Sequence, residues 1–140
     1  MREWLYDVFR ERPWWMSACL IFCAYMAFIY VPWDLFVKPV AKDEEVWFGF
    51  MLRGWAAKAT EPLHWAIYAA GAYGFWKMRP WMWPWAAIYS AQVSLGMLVW
   101  NLRDARGRGV VGGVVAALVF LGPTLALWRA RVTFQGASAP

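Results

Sequence analysis

The stretch Thr60-Glu61-Pro62-Leu63-His64-Trp65 carries the only histidine of the chain, three residues after a glutamate. On a helix Glu61 and His64 share a face, and a carboxyl group beside an imidazole can hold and pass a proton. Tyr68, Gly71 and Phe75 continue that face at offsets of four, three and four, adding a phenol, a gap and an aromatic wall. A second acid, Asp34, ends the preceding apolar run. Both acids stand where an apolar helix meets its end, and charge kept in such a place is costly, so function is sought there first. Each has an ordinary reading as well. A glutamate in a first turn, after a Thr60 cap and beside Pro62, is what a helix N-terminus favours. A lone histidine commonly serves packing through its hydrogen bonds, and a terminal aspartate is commonly solvated.

The elements that must position these groups follow from composition. Of 140 residues, 62% are apolar and 16% charged, and the charges gather in patches between long uncharged runs. A soluble helix needs charge along its outer face, so this distribution points to a polytopic membrane protein. Thirteen tryptophans fit the same reading, because indole favours the headgroup region. The net charge of +5 suits contact with anionic headgroups, and nucleic acid is not an expected partner.

The expected fold class is all-α, a bundle of four transmembrane helices in a single domain over residues 1–132. The spans fall at about 14–33, 60–76, 81–102 and 109–128. Trp4, Leu5, Val8 and Phe9 give residues 1–12 an amphipathic lead-in that ends before Pro13. In the first span Cys19, Cys23, Tyr30 and Asp34 form one stripe. The cysteines lack the Cys-x-x-Cys spacing of thiol-oxidising enzymes and read as packing residues.

Residues 35 to 60 form the one long connection. Trp47, Met51 and Trp55 recur at every fourth position, which predicts an interfacial amphipathic helix over about 45–56, lying as a lid between the first two spans. Gln92 stands near the middle of the third span with Tyr89 and Trp100 on its stripe. In the fourth span Gly109, Gly113 and Ala117 make a small-residue ridge, a docking face for a second copy or a larger membrane complex. Gly122-Pro123 predicts a kink. Residues 133–140 are small and polar and read as a disordered tail.

Arg2, Arg10, Arg12, Lys77, Arg79, Arg129 and Arg131 fall on the side of the termini. Lys38, Lys42, Arg53, Lys58, Arg103, Arg106 and Arg108 fall on the other, where Asp43, Glu44 and Glu45 dilute them. That balance places both termini on the cytoplasmic side, with a bacterial cytoplasmic membrane as the expected location.

One histidine excludes bis-histidine haem within one chain and leaves Glu61-x-x-His64 without the second motif of a di-iron site. No metal and no cofactor are expected. The order of span, Asp34, long loop, Glu61-Pro62-Leu63-His64-Trp65, short turn and Tyr89 to Gln92 resembles the four-helix sterol-binding family of the sigma-2 receptor and emopamil-binding protein. That resemblance implies acids and aromatics around a lipid-like or cationic ligand. Asp34, a loop tryptophan and Glu61 also look like the small membrane lycopene cyclases, although their paired Pro-x-Glu-Glu motif is missing here.

The expected function is a tryptophan-lined intramembrane cavity for an isoprenoid- or sterol-like lipid or another apolar small molecule. Asp34, Glu61 and His64 are its candidate catalytic residues. Tyr30, Trp47, Trp65, Tyr68, Tyr89, Gln92 and Trp100 are its candidate ligand contacts. Acid–base isomerisation or cyclisation through a carbocation suits these residues, because a carboxylic acid can protonate an alkene and indole faces stabilise the cation. An accessory subunit of a larger complex, or a small proton-coupled transporter, are the alternatives.

Overall fold

A computed structural model describes residues 12–136. The chain is mostly helical, with one small two-stranded sheet. Helix α1 runs Trp14–Phe36, and β1 (Glu44–Trp47) and β2 (Phe50–Arg53) follow as an antiparallel hairpin. Then come α2 (Trp55–Trp76), α3 (Met82–Arg103), α4 (Gly109–Arg129) and the short α5 (Arg131–Gly136). Helix α1 pairs with α2, and α3 with α4. The two pairs touch each other sparingly, and the hairpin packs on both α2 and α3.

Among the described residues two helices, α1 and α4, are long and apolar enough to cross a membrane. Their large side chains face outward, as with Phe28 at 75% and Val119 at 65% exposure. An outer surface of this kind is stable against hydrocarbon and unfavourable in water. Helix α2 carries Lys58, Glu61 and His64, and α3 is rich in tryptophan and tyrosine, so both are less hydrophobic at equal length.

Inside α1 the winding loosens to a π-turn over Met26–Tyr30, just before Pro32. In that winding Pro32, which has no N–H, stands where it would donate to the Ala27 carbonyl. The Trp65 indole N–H takes its place, donating to Ala27 O at 2.7 Å. A buried carbonyl orphaned by proline is thus satisfied from the neighbouring helix.

Four expectations need correction. The lid is a hairpin, not a helix. Spacing by four is a multiple of two, so it fits strand alternation as well as a helical row. The tip decides between them: Phe48 and Gly49 both have positive φ, at 51° and 87°, as a two-residue I′-type turn requires. Helix α2 starts at Trp55, not near residue 60, and carries Lys58 and Glu61 within it because those charges find partners there. Helix α1 extends to Phe36, so Asp34 lies inside it, at 2% exposure, and not at its mouth. The expected tail begins as α5, whose Phe134 is fully buried against Phe75, with ring centroids 6.0 Å apart. An aromatic residue with a pocket to fill outweighs the polar composition around it. Residues 1–11, most of the predicted lead-in, and 137–140 lie outside the described residues.

The core sits at the end where α2 turns into α3. Met16, Phe75, Met78, Met82, Ala87, Leu127, Ala130 and Phe134 pack together there. Helix α4 continues through Pro123. Of the small-residue ridge, Gly109 has open space beside it, while Gly113 and Ala117 face α3. Gly113 lies against Leu98 and Asn101 of α3, and the Ala117 carbonyl accepts from Ser94 Oγ at 2.7 Å.

Candidate functional site

The predicted site residues divide into groups, and the first is a buried ion cluster. Asp34 from α1, Asp43 from the connection and Glu61 from α2 bring carboxylate oxygens within 4.8 Å of one another. All three residues are at most 2% exposed. Lys38 Nζ lies 2.7 Å from Asp34 Oδ1 and 2.9 Å from Asp43 Oδ1. Lys58 Nζ lies 3.0 Å from Asp43 Oδ2 and 3.4 Å from Glu61 Oε1. Lys58 also donates to the carbonyls of Asp34 and Lys38.

Three acids at this spacing resemble a metal-binding set, but two ammonium groups occupy the place a cation would take. Burial alone would raise the Asp43 carboxyl; hydrogen bonds with Glu61, Lys38 and Lys58 outweigh it and hold Asp43 below the ordinary carboxylate range. Glu61 Oε1 meets Lys58, and its other oxygen, Oε2, has no hydrogen-bond partner. The cluster fastens the connection to α1 and α2. As candidate catalytic groups, Asp34 and Glu61 are thus engaged by lysine.

The second group runs along the seam between the helix pairs. His64 Nδ1 is 2.7 Å from Glu45 Oε2, and its ring stacks on Trp47 at 4.1 Å with planes 15° apart. Below it Tyr68 meets Phe22 edge-on at 5.9 Å and Tyr89 at 6.2 Å. The Tyr68 and Tyr89 hydroxyls are 3.4 Å apart. In its neutral form His64 donates from Nδ1 to the Glu45 carboxylate and offers Nε2 as an acceptor. The hairpin makes this group, since Glu45 and Trp47 are both on β1. Its tip is set by glycine: a Cβ on Gly49 would overlap Val99 and the Gly96 carbonyl. Gln92 flanks the same contact, its Nε2 close to Gly96.

Three predicted contacts lie elsewhere. Trp65 is spent on the Ala27 carbonyl and meets Phe36 edge-on at 6.3 Å. Tyr30 is 41% exposed on the π-turn, with Tyr25 as its aromatic neighbour. Trp100 lines a groove between α3 and α4. Gly71 leaves no open gap, because Cys23 Sγ fills it. Both cysteines are free, half-buried thiols.

Reading the sequence missed Lys38, Asp43, Glu45 and Lys58. Lys38 stands four residues after Asp34 and Lys58 three before Glu61, so each lysine–acid pair carried a helical signal. No local signal joins Asp43 to them.

Outside the cluster, Arg106 and Arg53 hold the Glu44 carboxyl below its ordinary range, and Arg106 does the same to Asp104. These pairs tie β1 to β2 and to the α3–α4 connection. The chain matches no protein-family model, no curated protein and no solved structure.

Proposed function

We propose that the chain is a four-span membrane protein that binds an apolar, isoprenoid- or sterol-like lipid in the seam between its two helix pairs. The observation carrying this reading is the His64–Glu45 pair, stacked on Trp47 and continued by Tyr68 and Tyr89 where the pairs meet. The aromatic faces take the apolar body of the ligand. His64 Nε2 takes its polar end, accepting a hydroxyl hydrogen bond or, in a reactive ligand, a proton. The acid–base role thereby moves from Asp34 and Glu61 to His64, with Glu45 orienting the ring. Helices α2 and α3 span beside α1 and α4, and their polar side chains turn to the interior, as hydrocarbon demands.

Native mass spectrometry of protein purified in mild detergent tests the site. Wild-type protein should carry a bound lipid. His64→Ala and Glu45→Gln should lose it by tenfold or more while remaining folded, on the order of the loss expected for a buried polar anchor. Retention in both variants would remove the site. A co-purifying protein in place of lipid would support an accessory subunit. Single cysteines at Lys77 and Gly107 test the spans, since a one-sided label should modify only one of them.

A further inference from the structure

The groove holding Trp100 lies away from the seam. Its volume is about 550 Å³, and Met97, Trp100, Val111, Val115 and Ala116 give it apolar walls along α3 and α4. Its polar residues gather at one end, Asn101 and Arg108. Asn101 is already committed, donating to the Met97 carbonyl at 2.8 Å and accepting from the Arg108 backbone N–H at 3.2 Å. Among the described residues the Arg108 side chain has no acidic partner. The nearby carboxylates Asp104 and Glu44 both pair with Arg106. An apolar channel that ends in a spare guanidinium, at the end of the apolar helix α4, has the polarity of a lipid with a negative headgroup.

We propose that this groove binds one membrane phospholipid with an anionic headgroup, its acyl chain along Trp100, Val111 and Val115 and its phosphate on Arg108. The proposal rests on the membrane reading alone and is independent of the His64 seam.

The test uses full-length protein in nanodiscs containing equal parts phosphatidylglycerol and phosphatidylcholine. Retained lipid is counted by native mass spectrometry after detergent release. Wild-type protein should keep phosphatidylglycerol in preference by about fivefold, the effect of one basic residue at an anionic surface. Arg108→Gln should abolish the preference, and Ala116→Phe should expel the lipid by filling the groove. Arg129→Gln, at the other end of α4, should leave the preference unchanged. Equal retention of the two lipids by wild-type protein, or an undiminished preference in both Arg108→Gln and Ala116→Phe, would overturn the proposal. Protein that stays soluble without detergent would instead refute the membrane reading, before any lipid is counted.

Discussion

The two ends of the bundle hold their positive charges by different means. At the hairpin end Lys38, Lys58, Arg53 and Arg106 are engaged by carboxylates and the lysine pairs are buried, while Arg103 lies over Phe50 at 5.2 Å and, among the described residues, Arg108 has no acidic partner. At the turn end the segments 72–83 and 126–136 contain no acid at all. There Lys77 lies over Trp76 at 4.3 Å, Arg79 over Tyr73 at 5.4 Å and Arg131 over Trp83 at 4.8 Å. Arg12 donates to the Phe75 and Trp76 carbonyls, at the C-terminal end of α2. Compensated charge can be buried and can fix geometry. Lys77, Arg79 and Arg131, held over aromatic rings, stay exposed.

The largest test of this contrast removes one partner from the buried cluster. Asp43→Asn or Lys58→Met should cost about 3–5 kcal/mol, because an orphaned buried charge remains, and thermal unfolding in detergent will measure it. Glu61→Gln should cost much less, since Glu61 has one lysine contact, at 3.4 Å, that an amide oxygen can still accept. Equal losses for Glu61→Gln and Asp43→Asn would refute the lesser role of Glu61 in the cluster.

Acid should act on the same end alone. Asp43 is held below its ordinary range, so its contribution is complete at neutral pH. It fades as pH falls below about 4 and through the lowered folded value. Proteolysis at the hairpin should therefore rise in acid, while cleavage near residues 77–79 should not change.

Next in size is Gly49→Ala. Its φ of +87° disfavours any side chain, and the added methyl meets Val99 and Gly96. A cost of about 1–3 kcal/mol is expected, with faster labelling of a cysteine placed at Glu45. Trp65→Phe should cost a similar ~1–3 kcal/mol by leaving the Ala27 carbonyl without a donor. An unchanged melting temperature would mean that the indole hydrogen bond contributes nothing. The smallest effect belongs to the turn end, where Lys77→Gln or Arg131→Gln should cost no more than about 1 kcal/mol each.

Helix boundaries were the most legible part of the sequence. Long uncharged runs placed α1, α3 and α4 within a few residues, because a long apolar helix is written in composition. The hairpin was not legible, since its row of aromatic residues obeys two periods at once and only the Phe48-Gly49 backbone separates them. For the site, the sequence singled out Glu61, His64 and Tyr68 from their common helix face. It did not reach Asp43 or Glu45, whose partners lie across a connection that has no periodicity to read. Trp65 and Trp100 show the remaining gap. Composition identified indoles, while their partners, an orphaned carbonyl and a groove wall, are set by packing.

The seat of the hairpin tip also imposes an order on biosynthesis. A Cβ on Gly96 would come within 3.3 Å of the Gly49 nitrogen, so the two glycines form a close-fitting joint. Gly49 leaves the ribosome 47 residues before Gly96. The first two helices are therefore made before the seat of the hairpin tip exists, although Glu45 and Trp47 can already meet His64 of α2. The third helix is the latch that seats the hairpin tip, and a nascent chain stopped before Gly96 should assemble its lysine–carboxylate cluster without it.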